Sequence, residues 1–193
     1  MPRINSEKFY KNAIKKYGIS PQGVCWIDAA RQQMRFDILH SLLPKDLSSS
    51  SIVDAGCGFG DFYIFLKNNH NLPQKYRGID AVSEMCSLAK EQTHQEIIEA
   101  DILHAELPVA DYYLCSGAMN ILTPFETTLF IRKCFQASKK GFIFNILYGN
   151  RKSQTYNYLT KESLENIAKV LGVKKIEYLD DYLENDITMG FFR

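Results

Sequence analysis

Residues Val53 to Phe62 read VDAGCGFGDF, a glycine loop between an apolar stretch and a segment of helical character. Glycines suit such a turn because the chain must reverse sharply and let its backbone approach a ligand with no Cβ in the way. A loop of this kind, leaving a strand and opening a helix, is a common seat for an anionic or polar ligand. The phosphate-binding dinucleotide pattern is G-x-G-x-x-G. Here Gly56, Gly58 and Gly60 run G-x-G-x-G, and Asp61 takes the place of the third dinucleotide glycine. Asp54 stands just upstream. Carboxylates at both ends of the loop are a poor setting for a pyrophosphate and suit a ligand carrying an ammonium or sulfonium.

Outward from the loop, strand and helix alternate. SIVDAG is a short apolar strand, and the helix after the loop runs over about residues 60–69. YRGIDA is a second strand, with Ser83 as the expected N-cap of a helix through Gln92. EIIEAD is a third strand and DYYLCSG a fourth. Pro124 to Ser138 reads as a helix with Pro at its first position. GFIFNILYG is apolar enough to be a fifth strand in the middle of a sheet covered on both faces. Thr160 caps a helix reaching Leu171, with Leu159 and Leu164 as a hydrophobic staple and Gly172 as its stop. VKKIEYL and DITMGFFR supply two further strands. The alternation predicts an α/β fold, a mainly parallel sheet with helices on both faces.

Ahead of this region, Phe9, Tyr10, Ala13, Ile14 and Tyr17 recur at helical spacing among lysines, which predicts an amphipathic helix from Ser6 to Tyr17 closed by Gly18. A second helix is expected from about Cys25 to Leu43, where Pro44 stops it. The expected organisation is one compact domain, with residues 1–50 as a helical appendage over the site and residues 51–193 as the α/β unit. No repeat or low-complexity segment interrupts it.

Composition narrows the function. The chain has 193 residues, 23 Lys+Arg and 22 Asp+Glu, a formal net charge of +1. That is one domain's worth of chain without the basic excess of a dedicated nucleic-acid binder. The first residues, MPRINSEKFYKN, carry charge where a secretory leader has its apolar core, so none is expected. No apolar run approaches the roughly 20 residues needed to span a bilayer. The five cysteines are scattered and never in C-x-x-C spacing, which points to a reducing cytoplasm and to neither a disulfide framework nor a metal site.

From Ser51 to Arg193 the sequence resembles the class I S-adenosylmethionine-dependent methyltransferases. Val53, Asp54, Ala55, Gly56, Cys57, Gly58, Phe59 and Gly60 match the family's first motif, an apolar residue and then acid-x-Gly-x-Gly-x-Gly. GID places Asp80, followed by Ala81, where the family has an acid that hydrogen-bonds the donor's ribose. EAD places Asp101, followed by Ile102, near the expected adenine amino group. DYYLCSG puts Asp111 at the start of strand four and Ser116 with Gly117 at its end. The four matches fall in order at the carboxyl ends of expected parallel strands, where open α/β sheets bind ligands.

The resemblance implies a Rossmann-like methyltransferase fold of seven strands, mostly parallel with the last antiparallel, preceded by two extra helices. It implies S-adenosylmethionine as cofactor, held by Asp54, Gly56, Gly58, Gly60, Asp80, Ala81, Asp101, Ile102 and Ser116. Arg35, in the helix before strand one, is a candidate for the donor's carboxylate, since an arginine fork matches a carboxylate. The acceptor is expected among the N-terminal helices and the loops after strands four and five. There Trp26, Asn120, Tyr148 and Tyr156 are the substrate-binding candidates, with Arg151 and Tyr158 nearby. The family's adenine-methylating signature Asn-Pro-Pro-aromatic is absent, since the chain has SGAMN. A small-molecule acceptor is therefore expected, with no nucleic acid or membrane partner. No general base can be named, and His104 is the one histidine near a motif. Two other readings stand beside this one, a non-catalytic module that binds S-adenosylmethionine and an NAD(P)-dependent oxidoreductase.

Overall fold

The computed structural model describes residues 4–24 and 28–193. Seven strands form one sheet in the order β3-β2-β1-β4-β5-β7-β6. They are β1 (Ser51–Ala55), β2 (Lys75–Asp80), β3 (Glu96–Glu99), β4 (Ala110–Ser116), β5 (Ser138–Leu147), β6 (Lys175–Leu179) and β7 (Asp186–Phe192). β1 to β5 pair in parallel, and β7 runs antiparallel to both β5 and β6. Parallel strands need a long crossover, usually a helix. Among the described residues there are six α-helices, α1 (Ser6–Tyr17), α2 (Ala29–Ser41), α3 (Asp61–Asn68), α4 (Ser83–Thr93), α5 (Pro124–Ala137) and α6 (Lys161–Leu171), and β3 passes to β4 without one. This is the expected Rossmann-like methyltransferase fold.

The pleat divides the strand residues between two cores. Val53, Ala55, Tyr113, Phe142 and Phe144 face α5 and α6, where Ile131, Cys134, Leu164 and Ala168 are buried. Ile52, Leu114 and Ile143 face the other way, onto Phe36 and Leu39 of α2, Phe62 and Phe65 of α3 and Ala89 of α4. α2 thus fills the sheet's own core, whereas among the described residues α1 packs on a small separate cluster, through Ile14 and Tyr10 against Phe59, Val82 and Met85.

Two local expectations are corrected. Ser83 is not the N-cap of α4. Val82 takes that position with no side-chain cap, because the Asp80 carboxylate turns over to accept the Val82 N–H at 2.9 Å. The second helix begins at Ala29, because Asp28 caps it by accepting the Arg31 N–H at 2.8 Å. Trp26 and Cys25 lie outside the described residues. Pro124 does open α5, inside a capping box of Thr123 and Glu126. Among the described residues no helix is long and apolar enough to cross a membrane.

Candidate functional site

The carboxyl ends of β1 to β4 open onto one cavity of about 670 Å³. The glycine loop between β1 and α3 is its floor. Gly56 has φ of +81°, and a Cβ there would stand 2.3 Å from the Ala118 Cβ, so no larger residue fits between the loop and the turn after β4. Gly60 has φ of +84° and caps α3.

The loop's N–H groups are turned inward. Those of Gly56 and Cys57 donate to the Ile79 carbonyl at 2.7 and 3.1 Å, and that of Gly60 to the Cys57 carbonyl at 2.9 Å. The Gly58 N–H donates to Asp80 Oδ2 at 2.9 Å. A phosphate cradle depends on such groups pointing at the ligand. Here they fasten the loop to β2, and the loop's flanks are acidic.

Three carboxylates gather around the loop. Asp54 is 3% exposed and accepts the Tyr76 hydroxyl at 2.8 Å. Burial pushes its carboxyl up to about 7 against the pull of that hydroxyl, and Asp80 and Asp61 add to the rise. Asp61 accepts Gln32 Nε2 of α2 at 2.9 Å, and burial raises it too. Asp80 is raised by burial, while the Val82 and Gly58 N–H groups pull it back. A ligand cation at this loop would meet carboxylates that gain by its arrival.

Asp101, two residues past the end of β3, accepts the Leu103 N–H at 2.9 Å and lies 2.8 Å from His104 Nδ1. Ser116 Oγ lies 3.1 Å from Asn145 Oδ1. Asn120 accepts the Leu147 N–H at 3.0 Å and, through its carbonyl, the Asn157 N–H at 2.7 Å, which ties the turn after β4 to the loop after β5.

Asp54, Gly56, Gly58, Asp80, Ala81, Asp101, Ile102, Ser116, Arg35, Asn120 and Tyr156 all line the cavity. Gly60 is not among the lining residues. Nor is Tyr148, which bridges to Leu159 and packs against the sheet core. Arg151 and Tyr158 also lie off the wall. Arg35 is 7% exposed, and its guanidinium is ion-paired with Asp186 of β7. Burial lowers it to about 10. Tyr182 donates to the other oxygen of Asp186 at 2.7 Å. Asp111 sits at the far end of β4, where it accepts the Ser51 N–H and hydroxyl at 2.8 Å each.

Sequence reasoning missed part of the wall. Phe9 and Tyr10 of α1 line it, as do Glu126 and Phe130 of α5. The helix stripe of α1 reads as ordinary packing, and nothing in its spacing separates a core face from a cavity face. The sequence reading took only Pro124 from TPFE, although Thr123 and Glu126 have capping-box spacing, and its place just after the strand-four loop was a signal that could have found Glu126.

Residues 52–141 match the family model described as a methyltransferase domain. This stretch is similar to a methyltransferase domain, and the sheet order is that of the class I fold. S-adenosylmethionine is the methyl donor of that class. No curated protein matches the chain in sequence. Among solved structures, magnesium protoporphyrin IX methyltransferase from Synechocystis PCC 6803 with bound S-adenosylhomocysteine is similar, with a TM-score of 0.73 at 11% identity over 97% of this chain and 95% of that one. The same enzyme with bound S-adenosylmethionine gives 0.69 at 14% identity over 100% and 86%. An S-adenosylmethionine-dependent methyltransferase from Mesorhizobium loti gives 0.65 at 16% identity over 83% and 98%. At these identities the structural likeness speaks to the fold of the methyltransferase domain.

Proposed function

We propose that the chain is a cytoplasmic S-adenosylmethionine-dependent methyltransferase acting on a small-molecule acceptor. Residues 51–193 form the donor-binding unit, and within residues 1–50 it is α1 that closes over the site, since α2 is built into the sheet's core. The observation that carries the reading is the inward-turned, acid-flanked glycine loop. The N–H groups of Gly56, Cys57 and Gly58 are engaged by Ile79 and Asp80, which disfavours a dinucleotide, while Asp54, Asp61 and Asp80 favour a cationic ligand.

When bound, the donor supplies an activated methyl group with its own leaving group. The chain's part is to hold and align. Each Asp80 oxygen accepts one backbone N–H and keeps a lone pair for a ribose hydroxyl. On this reading Asp101 and Ile102, which line the cavity, are assigned to the base ring, Asp54 to the methionine end and Arg35 to the donor's carboxylate. Asn120 and Tyr156 are assigned to the acceptor. Positioning alone can supply much of the rate.

Calorimetric titration with S-adenosylhomocysteine, run beside NADH, tests the donor pocket. Micromolar binding of the first and silence from the second is expected. Asp80→Ala should weaken S-adenosylhomocysteine at least about tenfold. NADH binding in its place, or an unchanged constant in the variant, overturns the assignment.

A further inference from the structure

We propose, building on the methyltransferase reading, that Gln32 of α2 and Asp61 of α3 form a clamp for the ammonium group at the donor's amino-acid end, and that Gln32 thereby sets the preference for a ligand with a free α-amino group.

Gln32 is a polar side chain in an apolar setting. It is 8% exposed and lies one turn before Phe36, which packs into the sheet's core. Burying an amide costs free energy unless its polar atoms are hydrogen-bonded. The nitrogen meets that condition, since Nε2 donates to Asp61 Oδ2 at 2.9 Å. The oxygen does not. Among the described residues Gln32 Oε1 accepts no hydrogen bond, and neither does the second oxygen of Asp61. Both residues line the main cavity. The same pair also borders a smaller cavity of about 250 Å³, shared with Ser20 and Gln92.

The spacing of the pair is set in advance by the core. Phe36 packs against Phe62, the neighbour of Asp61, with ring centroids 5.2 Å apart, and against Phe65 at 5.7 Å. The bond from Gln32 to Asp61 therefore joins two helices already fixed to each other. A ligand that uses it meets little cost of ordering.

Two neighbouring oxygens with unfilled lone pairs call for a group that brings several hydrogens. The sulfonium of the donor carries no N–H or O–H and can fill neither. The ribose hydroxyls are assigned to Asp80 and the base to Asp101. The ammonium remains, with three N–H groups and a charge that makes its bond to a carboxylate stronger than a neutral one. Burial raises the Asp61 carboxyl against the pull of Gln32, and an arriving cation favours its ionised form. Arg35, assigned to the donor's carboxylate, stands three residues after Gln32 among the buried residues of α2. The two charged groups of an α-amino acid would then fall to neighbouring positions of one helix.

The test uses the full chain and three ligands, with binding read by calorimetry. They are S-adenosylhomocysteine, its analogue with hydrogen in place of the amino group, and methylthioadenosine, which lacks the amino-acid end. The wild-type chain should hold S-adenosylhomocysteine at least about tenfold more tightly than the deamino analogue. Gln32→Met and Asp61→Asn should each weaken S-adenosylhomocysteine about tenfold and leave the other two constants within about twofold. A wild-type chain indifferent to the amino group overturns the proposal, and that comparison needs no variant to fold. So does a variant that weakens all three ligands alike, the result expected of a pair that serves only packing or the smaller cavity. Silence from all three ligands strikes the donor reading, and the clamp with it. That outcome is distinct from S-adenosylhomocysteine bound no better than its deamino analogue.

Discussion

A carboxyl group buried behind a glycine loop, as Asp54 is, holds its proton toward neutral pH unless a cation stands beside it. Burial raises Asp54 to about 7, so the folded protein binds a proton there that the unfolded chain releases near the ordinary value of 3.8. The stability this proton confers is complete below that ordinary value and lost as pH rises through about 7. A sulfonium donor works in the opposite sense, since it prefers the ionised carboxylate. Donor binding should therefore strengthen as pH rises from about 6 to 8, and uptake below neutrality should release a proton. Titration of S-adenosylmethionine in two buffers of different ionisation heat measures that proton. Asp54→Asn should flatten the dependence, and an equally steep profile in the variant would remove Asp54 from the account. Tyr76, Asp80 and Asp61 face the same carboxyl, so the slope belongs to the group as a whole.

Among the elements, the junction of α2 with β7 is the one with the most at stake. Arg35 and Asp186 are 7% and 2% exposed, and their ion pair spans most of the chain's length. Removing one partner of a buried pair costs about 3–5 kcal/mol, because a charge is left without its counterpart, whereas replacing both by apolar residues is often neutral. Asp186→Ala should lower urea-unfolding stability by about that amount, and Arg35→Met with Asp186→Leu should restore most of it. Near-additive losses in the double variant would contradict the pairing. No pattern in the sequence could have announced this contact. Arg35 sits in a helix with ordinary polar neighbours, and Asp186 heads a strand, so each reads locally as solvated. The glycine loop was legible from its own residues, and Asp80 and Asp101 through the family resemblance, each falling at or just past the carboxyl end of an expected strand. Thr160 and Gly172 were legible because caps are local chemistry. Ser83 misled because the competing acceptor, Asp80, reaches over the turn to the Val82 N–H instead.

Across the whole molecule, attachment is uneven. α2 to α6 are bound into the two cores that flank the sheet, but α1 is fixed through Ile14 and Tyr10 to the small cluster of Phe59, Val82 and Met85. Few buried apolar contacts mean a low cost of local opening. Phe9 and Tyr10 of this helix also line the cavity, so a bound ligand would tie down what the fold itself holds loosely. In hydrogen exchange, amides of residues 6–17 should exchange well before those of β1, β4 and β5, and should slow at least about tenfold when S-adenosylhomocysteine is added. An α1 indifferent to the ligand would count against its role as a cover. The sequence made the amphipathic stripe of this helix plain, but its length and lysines do not tell that the stripe packs on a cluster apart from the sheet's cores.

The placement of β7 between β5 and β6 also bears on how the chain is made. β5 is paired along β4 as soon as both have left the ribosome, yet its other side stays bare until Asp186 to Phe192 arrive, after the whole of α6 and β6. During that interval the nascent protein displays a strand rich in phenylalanine and isoleucine with unmet backbone donors and acceptors, the kind of surface that recruits neighbours into mispaired sheets. Arg35 waits through the same interval for Asp186, so the arrival of β7 covers the side of β5 and neutralises the buried charge together.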